Sequence, residues 1–125
     1  MVRIISRDIR YSEDTGLTCG AFDESAIDAE IVLEDEGKRI FLYAQWTDQM
    51  PDCIRMEAAP ESLYRISRRM EDRDADWESL AAERSRIRED RLENAAAEKL
   101  YAPYFGELKQ MVISEMKKHG YPYPE

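Results

Sequence analysis

From Ile27 to Trp46 the chain reads IDAEIVLEDEGKRIFLYAQW, and its first half alternates. Ile27, Ala29, Ile31 and Leu33 interleave with Asp28, Glu30, Val32 and Glu34. A period of two is that of a β-strand, with one apolar face and one mostly acidic face. Asp35-Glu36-Gly37 then supplies turn chemistry, because Gly37 takes positive φ without a Cβ penalty. The return, residues 38–46, is rich in aromatic and β-branched side chains. Ile40, Leu42, Ala44 and Trp46 share one face, and Phe41, Tyr43 and Gln45 share the other. Apolar mass on both faces predicts a central hairpin covered at least in part on each side.

Around this hairpin, residues 2–11 read as a strand, with Ile5, Ile9 and Tyr11 on one face. Residues 12–16 form a turn cluster, and residues 17–22 suit a short strand with Gly20 marking a bulge. Met50-Pro51-Asp52 marks a further turn, and residues 53–57 suit an edge strand. From Glu61 the period changes to that of a helix, and neither Gly nor Pro occurs until Pro103. Leu63, Ile66, Ser67 and Met70 form a first stripe. Asp72, Asp74 and Asp76 interrupt it, since short acids favour caps over helix interiors.

The core candidates beyond this break are Trp77, Leu80, Ala81, Ile87, Leu92, Ala95, Ala96 and Leu100. The stretch from Glu61 to Leu100 is either two helices or one long one. Pro103 starts a third helix with Phe105, Leu108, Val112, Met116 and His119 on its inner face. Gly120 stands where a helix C-terminal glycine belongs, and Lys117 and Lys118 suit the last turn. The tail Tyr121-Pro122-Tyr123-Pro124-Glu125 is extended, and either packs on the body or is free.

Strands first and helices later mean an α+β fold. The expectation is one domain over residues 1–125: an antiparallel sheet of three to four strands in residues 1–57, about three helices in 61–119, and a tail in 120–125. The 125 residues are 43% hydrophobic and 36% charged, the composition of a globular domain with a charged exterior. No apolar run reaches the ~20 residues of a membrane span. The first residues lack a signal-peptide core, because Arg3, Arg7 and Asp8 interrupt it. Cys19 and Cys53 do not make a disulfide framework and read as reduced thiols of a cytoplasmic protein.

The net charge is −9, and it is uneven. Residues 1–60 hold 6 Lys and Arg against 13 Asp and Glu, and residues 61–125 hold 12 against 14. Such a field repels nucleic acid and anionic membrane and favours a basic protein partner. Its centre is Asp23, Glu24, Asp28, Glu30, Glu34, Asp35 and Glu36, with no Lys or Arg between Arg10 and Lys38. Carboxylates two apart on a strand lie ~6.8 Å apart on one face, close enough to imitate a short phosphate track.

Other chemistry is thinner. Asp72, Asp74, Asp76 and Glu83 fall at positions 1, 3, 5 and 12 of a loop, and in these four residues the stretch resembles an EF-hand. Trp77 stands where that loop needs Gly and Ser79 where it carries an apolar residue, so an acid-rich helix break is the preferred reading. The lone histidine, His119, and the two cysteines lie in no recognisable nucleophile setting, and spacings that bind transition metals are absent. Arg84, Arg88 and Arg91 form a stripe at i, i+4, i+7 that suits a salt-bridged face or docking on an acidic surface.

These features predict a non-enzymatic, cofactor-free protein-binding domain. Its sharper form is an acidic inhibitor that occludes a basic, nucleic-acid-binding surface, by analogy of size and charge with anti-CRISPR and immunity proteins. One alternative is a homo-oligomeric accessory protein joined through the helix from Trp77 to Leu100. Another is a small-molecule enzyme, which a cleft holding paired, buried carboxylates would favour.

Overall fold

The computed structural model describes residues 1–13, 25–72 and 74–123. Four strands form one antiparallel sheet in chain order: β1 (Val2–Glu13), β2 (Ser25–Asp35), β3 (Lys38–Thr47) and β4 (Ile54–Ala59). Three helices follow: α1 (Leu63–Arg69), α2 (Trp77–Glu89) and α3 (Asn94–Lys118). The fold is α+β. The expected strand over 17–22, and with it Cys19, Asp23 and Glu24, lies outside the described residues.

The β2–β3 hairpin brings the expected apolar faces together, pairing Ile27 with Trp46, but Asp35, expected in the turn, pairs with Lys38. Only Glu36 and Gly37 remain in the turn, at φ 50° and 82°. Two residues of positive φ make a type I′ turn, whose twist matches that of the strands it joins. Glu36 occupies the left-handed region at some cost, because its Cβ crowds the backbone there.

The hairpin is covered on both faces. On one, Ile27, Ala29, Ile31, Leu33, Leu42, Ala44 and Trp46 pack against Ala97, Tyr101, Phe105, Leu108, Val112 and Met116 of α3. On the other, Tyr43 and Ala59 pack against Leu63, Tyr64, Ile66 and Met70 at α1 and Leu80 and Ile87 of α2. Each buried Ile or Leu contributes about 1.5–3 kcal/mol, so two cores share one sheet. The sheet edges are protected differently. A bulge between Ile4 and Ser6 interrupts β1, and Arg3 and Arg7 on that strand pair with Glu34 at 3.0 Å and Glu107 at 2.7 Å. On β4, the Ala58 carbonyl accepts a hydrogen bond from the Leu92 N–H at 3.0 Å.

The helices depart from the pattern in the sequence. Ser62 caps α1, accepting from the Arg65 N–H, and Asp76 caps α2, accepting from the Ser79 N–H. The stretch from Glu61 to Leu100 is therefore neither one helix nor two: α2 ends at Glu89 and α3 begins at Asn94. The break has no Gly or Pro; the intervening chain instead satisfies the edge of β4 through Leu92. Pro103 stands in the first turn of a helical segment, as expected, but that segment is not a separate helix: Tyr101 leaves helical geometry (φ −126°, ψ 24°) two residues before it, and the segments on either side of this kink run together as α3. These shifts turn Leu100, Ala95 and Ala96 out of the expected core, with Leu100 60% exposed; Trp77, ahead of them in the first turn of α2, is 48% exposed. They place the half-buried Leu92 and the buried Ala97 and Tyr101 inward.

The end of α3 follows the expectation. Gly120 at φ 80° lets its own N–H bond the Lys117 carbonyl at 3.1 Å and the Tyr121 N–H bond the Met116 carbonyl at 2.9 Å, a Schellman motif. His119 is not on the inner face; it is the exposed C-cap, stacked on Tyr11 at 3.6 Å. Among the described residues no helix is long and apolar enough to cross a membrane.

Glu36→Asn, which relieves the left-handed strain, raises stability by about 0.5 kcal/mol in denaturant melts, and Gly37→Ala lowers it by about 1 kcal/mol. Arg88→Met strands the buried Glu57 carboxylate, from which Arg88 lies 2.7 Å, and costs roughly 3 kcal/mol. Adding Glu57→Gln recovers most of that loss.

Candidate functional site

The even-numbered positions of β2 build this site. Asp28 and Glu30 point away from α3, beneath α1, and are only 2% and 8% exposed. This corrects the expectation of an exposed acidic row. A strand in the middle of a sheet covered on both faces has no solvent-facing side, so its polar face is buried with its apolar one.

Each acid is therefore partnered. Asp28 accepts hydrogen bonds from the Tyr43 hydroxyl at 2.5 Å and from Gln45 Nε2 at 3.2 Å. Tyr43 sits diagonally across the ladder, since its direct partner is Glu30. Glu30 accepts from the Ser62 hydroxyl at 2.5 Å. The same oxygen of Ser62 accepts from the Arg65 N–H, so one serine joins the strand to the first turn of α1.

Burial pushes the Asp28 carboxyl above its ordinary range, against the hydrogen bond from Tyr43, and the nearby Glu71 charge adds to the rise. Burial likewise raises Glu30, opposed by Ser62 and supported by the Asp8 charge. It also raises the Tyr43 phenol, which Asp28 holds further in its protonated form.

The remaining acids of the expected patch separate. Glu34 pairs with Arg3 at 3.0 Å, Asp35 accepts from the Tyr101 hydroxyl at 3.1 Å, and Glu36 is exposed in the turn. Asp23 and Glu24 lie outside the described residues. The acids with EF-hand spacing do not gather either. Asp72 accepts from the Asp74 N–H, Asp76 caps α2, and Glu83 lies 3.9 Å from Arg69. No group of three or more metal-ligating side chains occurs among the described residues. Arg88 and Arg91 of the basic stripe dock on Glu57 of the same chain, at 2.7 and 3.9 Å.

What the structure assembles instead is basic. A cleft of about 880 Å³ runs beside α1, open to solvent, with Arg10, Arg39, Arg65, Arg68 and Arg69 along it. Phe41, Pro60 and Tyr64 form its apolar walls, and Glu30 and Ser62 lie among its lining groups. Arg65, Arg68 and Arg69 stand at i, i+3, i+4 and so share one face of α1. Arg10 comes from β1 and Arg39 from the start of β3.

Their charges are unevenly satisfied. Arg10 pairs with Glu71 at 2.7 Å and Arg69 with Glu83 at 3.9 Å. Arg68 lies 5.7 Å over the Tyr64 ring. Among the described residues Arg39, Arg65 and Arg68 have no carboxylate within 4.0 Å. The spacing of the α1 arginines is visible in the chain; their meeting with Arg10 and Arg39 depends on the sheet register and the docking of α1.

The raised carboxyl pKa values set a pH dependence. Between the ordinary carboxylate range and the raised one, the folded chain retains protons that the unfolded chain has released. Stability is therefore lost as pH rises through that window. Asp28→Asn removes the Asp28 share, so its melting temperature gains on the wild type as pH rises through the window and the gap levels above it. A gap that stays constant with pH shows that Asp28 titrates as in the unfolded chain.

Against this geometry, comparison with known proteins returns nothing: no family model, no curated protein and no solved structure matches the chain.

Proposed function

We propose that this is a non-enzymatic binding domain whose contact surface is the arginine-lined cleft, and that it takes an acidic segment of a protein partner. The observation that carries this reading is the convergence of five arginines from β1, β3 and α1 in a chain of net charge −9. Three of them lack a carboxylate partner among the described residues. Guanidinium groups held in a cleft bind carboxylates bidentately, with geometric specificity. Phe41, Pro60 and Tyr64 add apolar contact along the same trough.

A short peptide suits this cleft better than nucleic acid. Glu61 and Asp72 stand at its lining, and the acids beyond it repel a long polyanion. The partner's charge is thus the reverse of that expected from the acidic run, because two of its acids face inward while the arginines face out. Glu30 is bonded to Ser62, which also caps α1, and this supports a structural role for it.

A second reading, a small-molecule enzyme, draws on the paired burial of Asp28 and Glu30 under the cleft. In that case Glu30 is the acid–base group and the arginines hold an anionic substrate.

Fluorescence anisotropy with a labelled peptide of alternating Glu and Tyr tests the first reading. The expected result is saturable binding that weakens with salt. Reversing Arg65 and Arg68 together (R65E/R68E) weakens it by about tenfold or more. Glu30→Gln leaves it intact. Equal binding by wild type and double variant, or tighter binding of a single-stranded oligonucleotide, overturns the proposal. Loss of binding in Glu30→Gln favours the enzyme reading.

A further inference from the structure

The face of the sheet away from the arginine cleft carries a second, independent site of opposite character. The Schellman turn after α3 sends the tail back across the sheet. There the Tyr121 ring lies 4.9 Å from the Trp46 ring at an angle of 53°, and the Tyr121 hydroxyl donates to Ser25 Oγ at 3.1 Å. The connector between β3 and β4 closes on it from the other side, anchored where Trp46 Nε1 donates to the Pro51 carbonyl at 3.0 Å. Between them is a cavity of about 460 Å³ lined by Trp46, Tyr121 and Tyr123 with Asp48, Asp52 and Pro51.

Its chemistry is specific. Two half-buried tyrosine rings and two carboxylates line one cavity over the edge of the buried Trp46, which is 1% exposed, and no basic side chain lines it. Oδ1 of Asp48 is buried without a hydrogen-bond partner among the described residues. A buried carboxylate oxygen left unpaired is unfavourable, and a positive charge nearby offsets it. The rings attract the same sign of charge, since the faces of Trp and Tyr are electron-rich. Tyr123 already shows this attraction: the Lys109 ammonium sits 5.5 Å from its ring centroid.

From this geometry we infer that the pocket binds a methylated ammonium group, the positive head shared by choline-type compounds and methylated lysine. A metal ion is a poorer fit, because the site offers two carboxylates and hydrocarbon walls rather than a shell of oxygens. A bare ammonium is also a poorer fit. Its hydration is more costly to remove, whereas methyl groups spread the charge and pack against rings.

The test uses the full chain and the Trp46 indole N–H resonance, assigned with Trp77→Phe. Choline and Nε-trimethyl-lysine are titrated separately, with potassium and ammonium at equal ionic strength as controls. Saturable shifts in the micromolar to millimolar range are expected for at least one methylated probe and for neither control. The tighter-binding probe identifies the natural source of the group. Tyr123→Ala and Asp48→Asn each weaken binding by about tenfold, and R65E/R68E leaves it unchanged. Tyr123 is half-buried and packs on the core, so the melting temperature of Tyr123→Ala is measured beside its binding, and Asp48→Asn tests the charge without changing the shape. The inference is overturned by an absence of saturation with both probes, an equal response to potassium, or unaltered binding in both pocket variants.

Discussion

A carboxylate on a strand in the middle of a covered sheet has nowhere to go except beneath a helix. Asp28 and Glu30 are in that position, opposite the apolar residues that seat α3. Because β2 alternates strictly, seating Ile27, Ala29 and Ile31 in one core forces both acids into the other. The molecule meets this demand with a hydroxyl for each: Tyr43 for Asp28 and Ser62 for Glu30. Ser62 is also the cap of α1, so satisfying the strand and starting the helix are a single local event. That event sets where α1 lies, and α1 supplies three of the arginines in the cleft.

The same constraint redistributes charge. Counted along the chain, negative charge is concentrated in the first sixty residues. Counted in space, much of it is turned inward or paired: Glu57 with Arg88, Glu34 with Arg3, Asp28 and Glu30 with hydroxyls. Several exposed acids stand instead at the two ends of α2, with Asp72, Asp74, Asp76 and Glu78 at one and Glu89 and Asp90 at the other. The two faces of the sheet then differ in kind. One presents arginines over a polar floor, and the other presents aromatic rings beside aspartates at the return of the tail. On the proposed readings, charge complementarity sorts ligands of opposite sign between the two sites.

Much of the sheet was legible in the chain because the responsible interactions are local or strictly periodic. The alternation over β2 and the turn at Glu36-Gly37 specify the Ile27–Trp46 register without reference to anything else. The end of α3 at Gly120 is equally local, since only a residue tolerant of positive φ closes that cap. The helical half was less legible, and each departure has a distant cause. The break after Glu89 serves the edge of β4, more than thirty residues away in sequence. Leu100 read as core because the periodicity was continued across that break, which resets the phase of every side chain after it, and Trp77 stands before it in the exposed first turn of α2.

The amino-acid order alone determined the class of fold, the central hairpin and its register, and the terminal cap, because hydrophobic period and turn chemistry act over a few residues. Only the folded chain decided what the acids were for. Whether a polar strand face meets water or a helix depends on where α1 and α2 dock, and that depends on shape and burial summed over the whole molecule. The arginine cleft and the aromatic pocket belong to the same category. Their members come from separate elements, and no spacing along the chain brings Arg10 to Arg65 or Tyr121 to Trp46.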